Sequence, residues 1–337
     1  MFRRVAAAIV IVAVAVILLV LAWPQLFSLQ RTLGVAHVVS FRAGAAAIGI
    51  ALVVLLTVVG MLLRPARRFF ATLALLLVAF ALVNAAVLGS RGFGDTAFDT
   101  AGASSVTVLS WNTLGDATGA QAIATLALDS GADVITLPET TNALALDIAA
   151  IMKASGRPMW VHTTSFDEIS KSRSTSVLTS ADLGTYSKDE TVGQTKTLPT
   201  VVLRPDDGSG PTIIGVHAVA PIPGEFANWK ADLAWLADTC AGENVIMAGD
   251  FNATLDHMSG LASSGETTLG VCADAGLASG NGAVGTWPTT LPALVGSPID
   301  HVMATQNWRV TGMRVVQDLD TGGSDHRPVV VQLDPAG

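Results

Sequence analysis

Three uninterrupted apolar segments occupy the first 89 residues of the chain. They extend over residues 5–22, 43–63 and 69–89, and none of them contains a charged residue. Each is close to the roughly 20 residues that a helix needs to cross about 30 Å of hydrocarbon. Arg3 and Arg4 precede the first segment as in a signal peptide, but that segment is longer than the usual 7 to 15 residues or so. The pattern therefore predicts a membrane region, residues 1–89, with three transmembrane helices.

The pattern changes completely after residue 89. Residues 90–105 are rich in Gly, Ser, Ala and Asp and predict a linker. From 106 to 337, short apolar segments alternate with polar ones, and turn residues separate them. The predicted strands are 106–111, 133–138, 175–180, 197–203, 212–219, 244–249, 299–304, 308–316 and 327–333, and the predicted helices are 119–131, 143–156 and 225–240. Helix-linked strands followed by many extended segments indicate an α/β domain with more than one sheet.

The arginines of the membrane region predict its orientation. Five of them lie on one side of the predicted bilayer and two on the other: Arg3, Arg4, Arg64, Arg67 and Arg68 against Arg31 and Arg42. Because positive loops stay in the cytoplasm, the N-terminus is expected inside and the domain beyond residue 89 outside. The sequence thus predicts a multi-pass protein of the cell membrane with an extracytoplasmic domain.

The charge of the chain is divided in the same way. The first 90 residues contain seven basic and no acidic side chains, whereas the remainder contains 12 basic and 27 acidic ones, a formal charge of −15. Such a domain repels long polyanions unless a metal or a local basic patch compensates. Loose electrostatic binding of DNA is therefore disfavoured, but hydrolysis of a phosphate ester at a metal site is not.

The chain has two cysteines, Cys240 and Cys272, and both lie in the predicted extracytoplasmic domain. An even pair in an oxidising compartment favours a disulfide. The alternative is a pair of buried thiols. A zinc site is disfavoured, since the chain has no CxxC motif and no paired-histidine spacing.

Polar side chains follow one strand after another at the point where the strand ends. These residues are Asn112, Glu139, His217, Asp250, Asn252, Asp300, Asp325 and His326. Each alone is compatible with a turn or a helix cap, but enzymes built on sheets place their reactive groups at strand ends. Carboxylates and an amide suit Mg²⁺ or Mn²⁺. A carboxylate can deprotonate water, and histidines can donate to phosphate oxygens.

The motifs that carry these residues resemble those of the endonuclease/exonuclease/phosphatase superfamily. "LSWNT", "DVITLPET", "GVHAVAP", "AGDFNAT", "PIDHV" and "GSDHRPV" occur in the order typical of that superfamily, over residues 105–333. The resemblance implies a deoxyribonuclease-like fold, a four-layer α/β/β/α sandwich in the α/β class. It also implies a phosphoesterase that uses Mg²⁺ or Mn²⁺ as its cofactor.

The resemblance assigns the metal side of the site to three residues. Glu139 corresponds to the principal ligand, with Asn112 beside it and Asp325 as a second ligand. Family members often have Gln-Glu where this chain has Pro138-Glu139. The carboxylate is retained here, but the neighbouring amide is lost.

The resemblance assigns catalysis to five further residues. Asp250 and Asn252 correspond to the pair that activates water and contacts the phosphate. His326 corresponds to the histidine beside the scissile phosphate, oriented by Asp300. His217 corresponds to the second histidine, a candidate acid for the leaving group.

Other aromatic residues near these motifs have simpler interpretations. His301 follows Asp300 on a strand and faces the opposite side, so packing is expected. For His257, just past "GDFN", packing is expected, and bracing of that loop is the alternative. Trp229 is expected to be a core residue. Packing is also expected for Trp287, in "GTWP", with reach into the site as the alternative.

The predicted function is therefore a metal-dependent phosphoesterase that acts outside the cytoplasmic membrane. A phosphodiester is favoured as the substrate, either nucleic acid or a phospholipid headgroup, and the three helices bind the lipid bilayer. One alternative is a phosphomonoesterase for a small molecule. Another is a non-catalytic domain that binds a phosphorylated ligand or a protein. No particular protein partner is identifiable from the sequence.

Overall fold

The first ninety residues form an apolar helical unit. The computed structural model describes residues 2–94, 97–167 and 169–336 and separates into two compact units, Met1–Ser90 and Arg91–Gly337. The helices that begin in the first unit are α1 (Phe2–Ala22), α2 (Val35–Ser40), α3 (Arg42–Leu62) and α4 (Arg67–Arg91), with 3-10 turns at Pro24–Phe27 and Arg64–Ala66. In the described residues, three helices are long and apolar enough to cross a membrane, as predicted.

The second unit is built on two six-stranded sheets within the described residues. Its strands are β1 (Val106–Ser110), β2 (Val134–Pro138), β3 (Met159–Ser165), β4 (Ser174–Ser180), β5 (Tyr186–Lys188), β6 (Val201–Pro205), β7 (Thr212–His217), β8 (Val245–Asp250), β9 (Cys272–Asp274), β10 (Asp300–Thr305), β11 (Trp308–Val315) and β12 (Val329–Pro335). The first sheet has the order β11-β12-β1-β2-β4-β3. The second has the order β5-β6-β7-β8-β10-β9.

Helices pack around the two sheets. They are α5 (Ala120–Ser130), α6 (Asn142–Ala154), α7 (Phe226–Thr239), α8 (Leu255–Met258) and α9 (Ala275–Ala278), with 3-10 turns at Lys171–Arg173 and Ala181–Leu183. Ile123 of α5 and Ile148 of α6 share a buried cluster with Leu109 of the first sheet. A second cluster lies between the sheets and includes Val108 and Ile246. The fold is thus the expected α/β/β/α sandwich.

Strand direction brings the predicted polar residues to one edge of the sandwich. β1 is parallel to β2, and β7 is parallel to β8, so the carboxyl ends of each pair lie together. β10 is antiparallel to β8 and begins at that edge. The register places His217 opposite Asp250 and Asp300 on its other side. Three predicted site residues therefore lie side by side on adjacent strands.

A glycine is required immediately before Asp250. Gly249 has φ +150°, and a Cβ atom there would lie 2.0 Å from the carbonyl oxygen of Val216. Only glycine permits so close an approach of the two backbones. The approach keeps the ends of β7 and β8 together where their side chains meet.

A disulfide joins Cys240 to Cys272. It links the residue that follows α7 to the first residue of β9, 32 positions later in the sequence. Closing a loop of this length restricts the unfolded chain and stabilises the fold by roughly 3–4 kcal/mol. The segment that it encloses contains the loop after β8.

Candidate active site

The eight predicted residues form one connected group. Asn112 follows β1, Glu139 follows β2, and His217 and Asp250 end β7 and β8. The remaining members of the group are Asn252, Asp300, Asp325 and His326. Hydrogen bonds, ion pairs or electrostatic coupling join every member to another. The structure therefore places all of them at one site.

Asn112 lies between two carboxylates. Its Nδ2 donates to Glu139 Oε1 at 3.1 Å and to Asp250 Oδ2 at 3.2 Å, while its Oδ1 accepts from the backbone of Leu114. In this orientation Asn112 positions the two carboxylates by donating to both, and its place among the metal ligands stays a prediction.

Asp250 is a buried carboxylate with a raised pKa. Burial, with a further contribution from the charge of Asp300, raises its pKa to about 7, although the charge of His326 opposes the shift. Asn252 donates to it twice, from the backbone at 2.8 Å and from Nδ2 at 3.1 Å. A carboxylate with a pKa near the working pH is well suited to act as a general base.

His326 lies between two carboxylates as a cation. Its Nδ1 lies 2.9 Å from Asp300 Oδ2, and its Nε2 lies 3.8 Å from Asp250 Oδ2. Burial alone would lower the pKa of the ring, but the charges of Asp300 and Asp250 outweigh it and raise the pKa to about 10. These three side chains are close enough to surround a metal ion. His326 thus pairs with both carboxylates, with Asp300 through Nδ1 and with Asp250 through Nε2.

Glu139 and Asp325 offer the oxygen atoms that a divalent metal requires. Burial raises the pKa of Glu139, and the charge of Asp325 adds to the shift, which places the two carboxylates near each other. Asp325 Oδ2 accepts from Trp287 Nε1 at 2.8 Å, whereas the buried Oδ1 has no hydrogen-bond partner among the described residues. A buried carboxylate oxygen without a donor fits the hard oxygen site that Mg²⁺ or Mn²⁺ prefers.

His217 is neutral in its folded environment. Burial, together with the charge of His326, lowers its pKa to about 3. Its Nδ1 lies 3.3 Å from Thr175 Oγ1. A neutral imidazole carries one N–H that it can donate in a hydrogen bond, and the acid role that the resemblance implies stays a prediction. A hydrogen-bond donor is the role that its charge state allows.

The low pKa of His217 predicts a loss of stability in acid. An unfolded histidine binds a proton near pH 6.5, whereas the folded residue does so only near pH 3. The unfolded state therefore binds more protons between these values, and the free energy of unfolding falls as the pH falls, by about 1.4 kcal/mol per pH unit. Denaturant unfolding of wild type and His217→Gln measures this slope as a difference between the two proteins. Parallel curves from pH 7 to pH 4 would contradict it.

Two site residues have a left-handed backbone. Glu139 has φ 58° and Asn252 has φ 46°, conformations that are uncommon for residues other than glycine. Such positions persist only where surrounding contacts hold them, and they cluster at functional sites. The carbonyl of Glu139 accepts from Thr113 Oγ1 at 2.9 Å, which ties the end of β2 to the loop after β1.

Three supporting residues were not predicted from the sequence. Ser324 Oγ donates to the carbonyl of Asn112 at 2.6 Å and accepts from the backbone of His326. Arg327 is buried, pairs with Asp320 through Nε and Nη2, and donates to the carbonyls of Gly285 and Leu291. Trp287 lies beside His326, with ring centroids 6.5 Å apart. The "SDHRP" motif is the only sequence signal for Ser324 and Arg327. The "GTWP" motif gives no signal for the hydrogen bond from Trp287 Nε1 to Asp325 Oδ2.

Comparison with known proteins identifies the family of the second unit. The sequence pattern of the family described as "Endonuclease/Exonuclease/phosphatase family" matches residues 109–326. No match is found among curated proteins. Members of this family are generally hydrolases of phosphoester bonds that depend on a divalent metal.

Three solved structures share the fold. TDP2 from D. rerio, humanized by 14 mutations, is 16% identical with a TM-score of 0.52, over 69% of this chain and 100% of that one. An endonuclease/exonuclease/phosphatase from Beutenbergia cavernae is 18% identical with a TM-score of 0.50, over 69% and 72%. D. rerio TDP2 complexed with single-strand DNA product is 15% identical with a TM-score of 0.51, over 68% and 99%. At these identities the likeness concerns the fold alone. Since the family match covers more than half of the sequence, the chain belongs to the endonuclease/exonuclease/phosphatase family.

Proposed function

We propose that the chain hydrolyses a phosphodiester by in-line attack of a water molecule that Asp250 activates. The observation that carries this proposal is the buried row Asp250, His326 and Asp300, in which an imidazolium lies between two carboxylates. The row lies beside the carboxylates of Glu139 and Asp325. A base, a cation and a pair of metal-type oxygens at one edge are the parts that phosphoester hydrolysis requires.

Each residue has a distinct part in the proposed reaction. Asp250 accepts the proton of the attacking water. Asn252 orients Asp250 through its two hydrogen bonds. His326, held as a cation by Asp300, donates from Nε2 to a phosphate oxygen and opposes the negative charge that develops there. His217 adds a neutral donor.

The metal side of the proposed site consists of Glu139 and Asp325. These two carboxylates would hold Mg²⁺ or Mn²⁺, which supplies Lewis-acid polarisation of the phosphate when bound. Asn112 keeps Glu139 and Asp250 apart at fixed positions by donating to both. Family membership supports the dependence on a divalent ion.

A phospholipid headgroup is the substrate class that we favour. Three helices long enough to cross a bilayer belong to the same chain, so the domain works next to lipid. Loops at the active-site edge also expose Leu114 (44%), Ile222 (53%) and Leu294 (52%). Exposed apolar side chains beside a site favour an apolar contact. The formal charge of −15 beyond residue 90 disfavours long nucleic acid.

Three alternative functions are considered for the same site. The complex of D. rerio TDP2 with single-strand DNA product keeps a nucleic-acid substrate as an alternative. A phosphomonoesterase for a small molecule is a second alternative, and a silent binding domain is a third.

We further propose that the domain lies outside the cytoplasmic membrane, as the arginine distribution indicates.

Two model substrates test the reaction class. The purified chain is given bis-p-nitrophenyl phosphate or p-nitrophenyl phosphate at equal concentrations, with Mg²⁺ and then with Mn²⁺. The proposal expects a higher kcat/KM for the diester. A preference for the monoester would replace it with phosphatase activity, and turnover of neither substrate, with no metal binding by calorimetry, would favour the silent domain.

The apolar loops provide a test of the lipid assignment. Changing Leu114 and Ile222 together to aspartate should lower the rate on phospholipid in mixed vesicles about tenfold or more, because a membrane-facing charge must be desolvated. The rate on bis-p-nitrophenyl phosphate should fall much less, because this substrate requires no contact with a bilayer. Leu277, exposed on α9, gives a matched control as Leu277→Asp. An equal loss on both substrates would contradict a lipid-contacting role.

A further inference from the structure

We propose that His301 is a positioning residue, which holds the Asp250–Asn252 turn in its catalytic geometry through the carbonyl of Ala253. The proposal rests on the proposed function, because it assigns Asp250 the role of base. Its basis is the set of hydrogen bonds around this turn.

The turn after β8 needs external support. Asn252 has φ 46°, and its backbone amide and Nδ2 both donate to Asp250. A left-handed backbone at asparagine is retained only where the contacts around it outweigh the strain. Relaxation of Asn252 would withdraw both donors from the carboxylate that activates water.

Three aromatic side chains, each from a different element, form hydrogen bonds with the backbone of the three consecutive residues after Phe251. Trp229 of α7 donates from Nε1 to the carbonyl of Asn252 at 3.0 Å. His301 of β10 lies with Nε2 2.9 Å from the carbonyl of Ala253. The amide of Thr254 donates to Nδ1 of a third ring, His257 of α8, at 2.9 Å. The turn is thereby fixed residue by residue.

His301 is the member of this set that carries a charge. Its Nδ1 lies 2.7 Å from Asp274 Oδ2 while its Nε2 faces the Ala253 carbonyl. Both partners only accept hydrogen bonds, so both ring nitrogens must carry protons. Asp274 is fixed in turn, since its Oδ1 accepts from the backbone of Leu277 at 2.7 Å.

The surroundings of His301 favour the charged ring. The side chain is buried. The ring of Phe251 packs against it edge-on, with the two ring centroids 5.5 Å apart. Burial works against a charge, but the charge and hydrogen bond of Asp274, the Ala253 carbonyl and the charge of Asp300 together raise the pKa above its ordinary value. A hydrogen bond from a cation to a carbonyl is stronger than a neutral one.

Strand β10 therefore organises both sides of the active site. Consecutive side chains of a strand point to opposite faces. Asp300 bonds to His326 on one side, and His301 bonds to Ala253 on the other. The dipeptide Asp300-His301 thus positions both groups: Asp300 holds the His326 cation, and His301 holds the turn that carries the base, Asp250.

Three variants of the full chain, studied in detergent, distinguish a positioning role of His301 from a general contribution to stability. His301→Leu removes both hydrogen bonds of the ring. Asp274→Asn removes the charge, but a neutral ring can still donate from Nε2 to Ala253 while Nδ1 accepts from the new amide, and asparagine also serves as a helix cap. Val302→Ala is the matched control, because Val302 is buried on the same strand and belongs to the core between the sheets.

Activity and hydrogen exchange are then measured on each variant. We expect His301→Leu to lower kcat for bis-p-nitrophenyl phosphate about 10–100-fold with little change in KM, as for other residues that orient catalytic groups. Asp274→Asn should retain most of kcat, and Val302→Ala should retain all of it. Exchange of the amides in residues 250–258 should quicken in His301→Leu and stay at the wild-type rate in Val302→Ala.

The two measurements distinguish failure of this proposal from failure of the proposed function. If kcat of His301→Leu stays within about twofold of wild type, or if Val302→Ala loses as much as His301→Leu, the positioning role is overturned. If the wild type itself shows no turnover, the proposed function fails. Hydrogen exchange alone then decides whether His301 has the positioning role. Unchanged exchange over residues 250–258 in His301→Leu would then overturn the role, and faster exchange confined to them would support it.

Discussion

Replacing Asp250 by asparagine is expected to lower kcat about 10²–10⁴-fold, the range that a general base contributes. Asparagine has the same shape but cannot accept the proton of the attacking water. It also places an amide where Asn112 and Asn252 now donate to a carboxylate. The measurement is kcat on a diester at saturating Mg²⁺, with thermal unfolding to show that the fold is retained.

A half-buried carboxylate away from the site gives the control for this change. Asp133 lies before β2, at the opposite end of the sheet, and pairs with Arg157 at 2.9 Å. Asp133→Asn is expected to reduce stability and leave kcat unchanged. If Asp250→Asn kept the wild-type kcat, Asp250 would not be the base, and the proposed mechanism would be wrong.

Replacing His326 by glutamine is expected to lower kcat about 10²–10³-fold, as loss of one donor to a developing oxyanion does. Glutamine preserves a hydrogen-bonding group but carries no charge. The buried carboxylates of Asp250 and Asp300 then lose the cation between them. The assay is kcat on the same diester, with KM measured alongside.

Asp300→Asn provides a graded companion to His326→Gln. Among the groups that raise the pKa of His326, the charge of Asp300 is the largest. Without that charge the pKa of His326 falls from about 10, so the ring loses its proton at a lower pH. Titration of His326 by NMR should show this lower pKa together with a smaller loss of kcat. A wild-type pKa in Asp300→Asn would contradict the proposed ion pair.

Much of the fold could be predicted because hydrophobic periodicity was strong where the core is. The helices of the second unit with a clear apolar face, α5, α6 and α7, lie where the pattern places them. Strands β3, β5 and β9 were not predicted. β5 and β9 have three residues each, too few for an alternating pattern, and β3 is a half-exposed edge strand rich in Thr and Ser. Pairing with a neighbouring strand, which sequence alone does not show, determines these segments.

Which residues meet at the site could be predicted from the sequence, whereas their charge states and hydrogen bonds could not. The resemblance paired Asp250 with Asn252, and the structure brings their side chains together. Charge states depend on burial and on neighbours distant in sequence. The neutral His217 and the donor orientation of Asn112 therefore became visible only in three dimensions. The same holds for His301, whose partner Asp274 is 27 residues away.

Metal-dependent hydrolysis of a diester by the purified chain is the most direct test of the central claim. The protein is stripped with EDTA, assayed on bis-p-nitrophenyl phosphate, and assayed again after Mg²⁺ or Mn²⁺ is restored. We predict no turnover after stripping, recovery with the metal, and no recovery in a variant with Glu139→Gln and Asp325→Asn. Turnover that persists in EDTA, or that survives loss of both carboxylates, would contradict a metal-dependent phosphoesterase at this site.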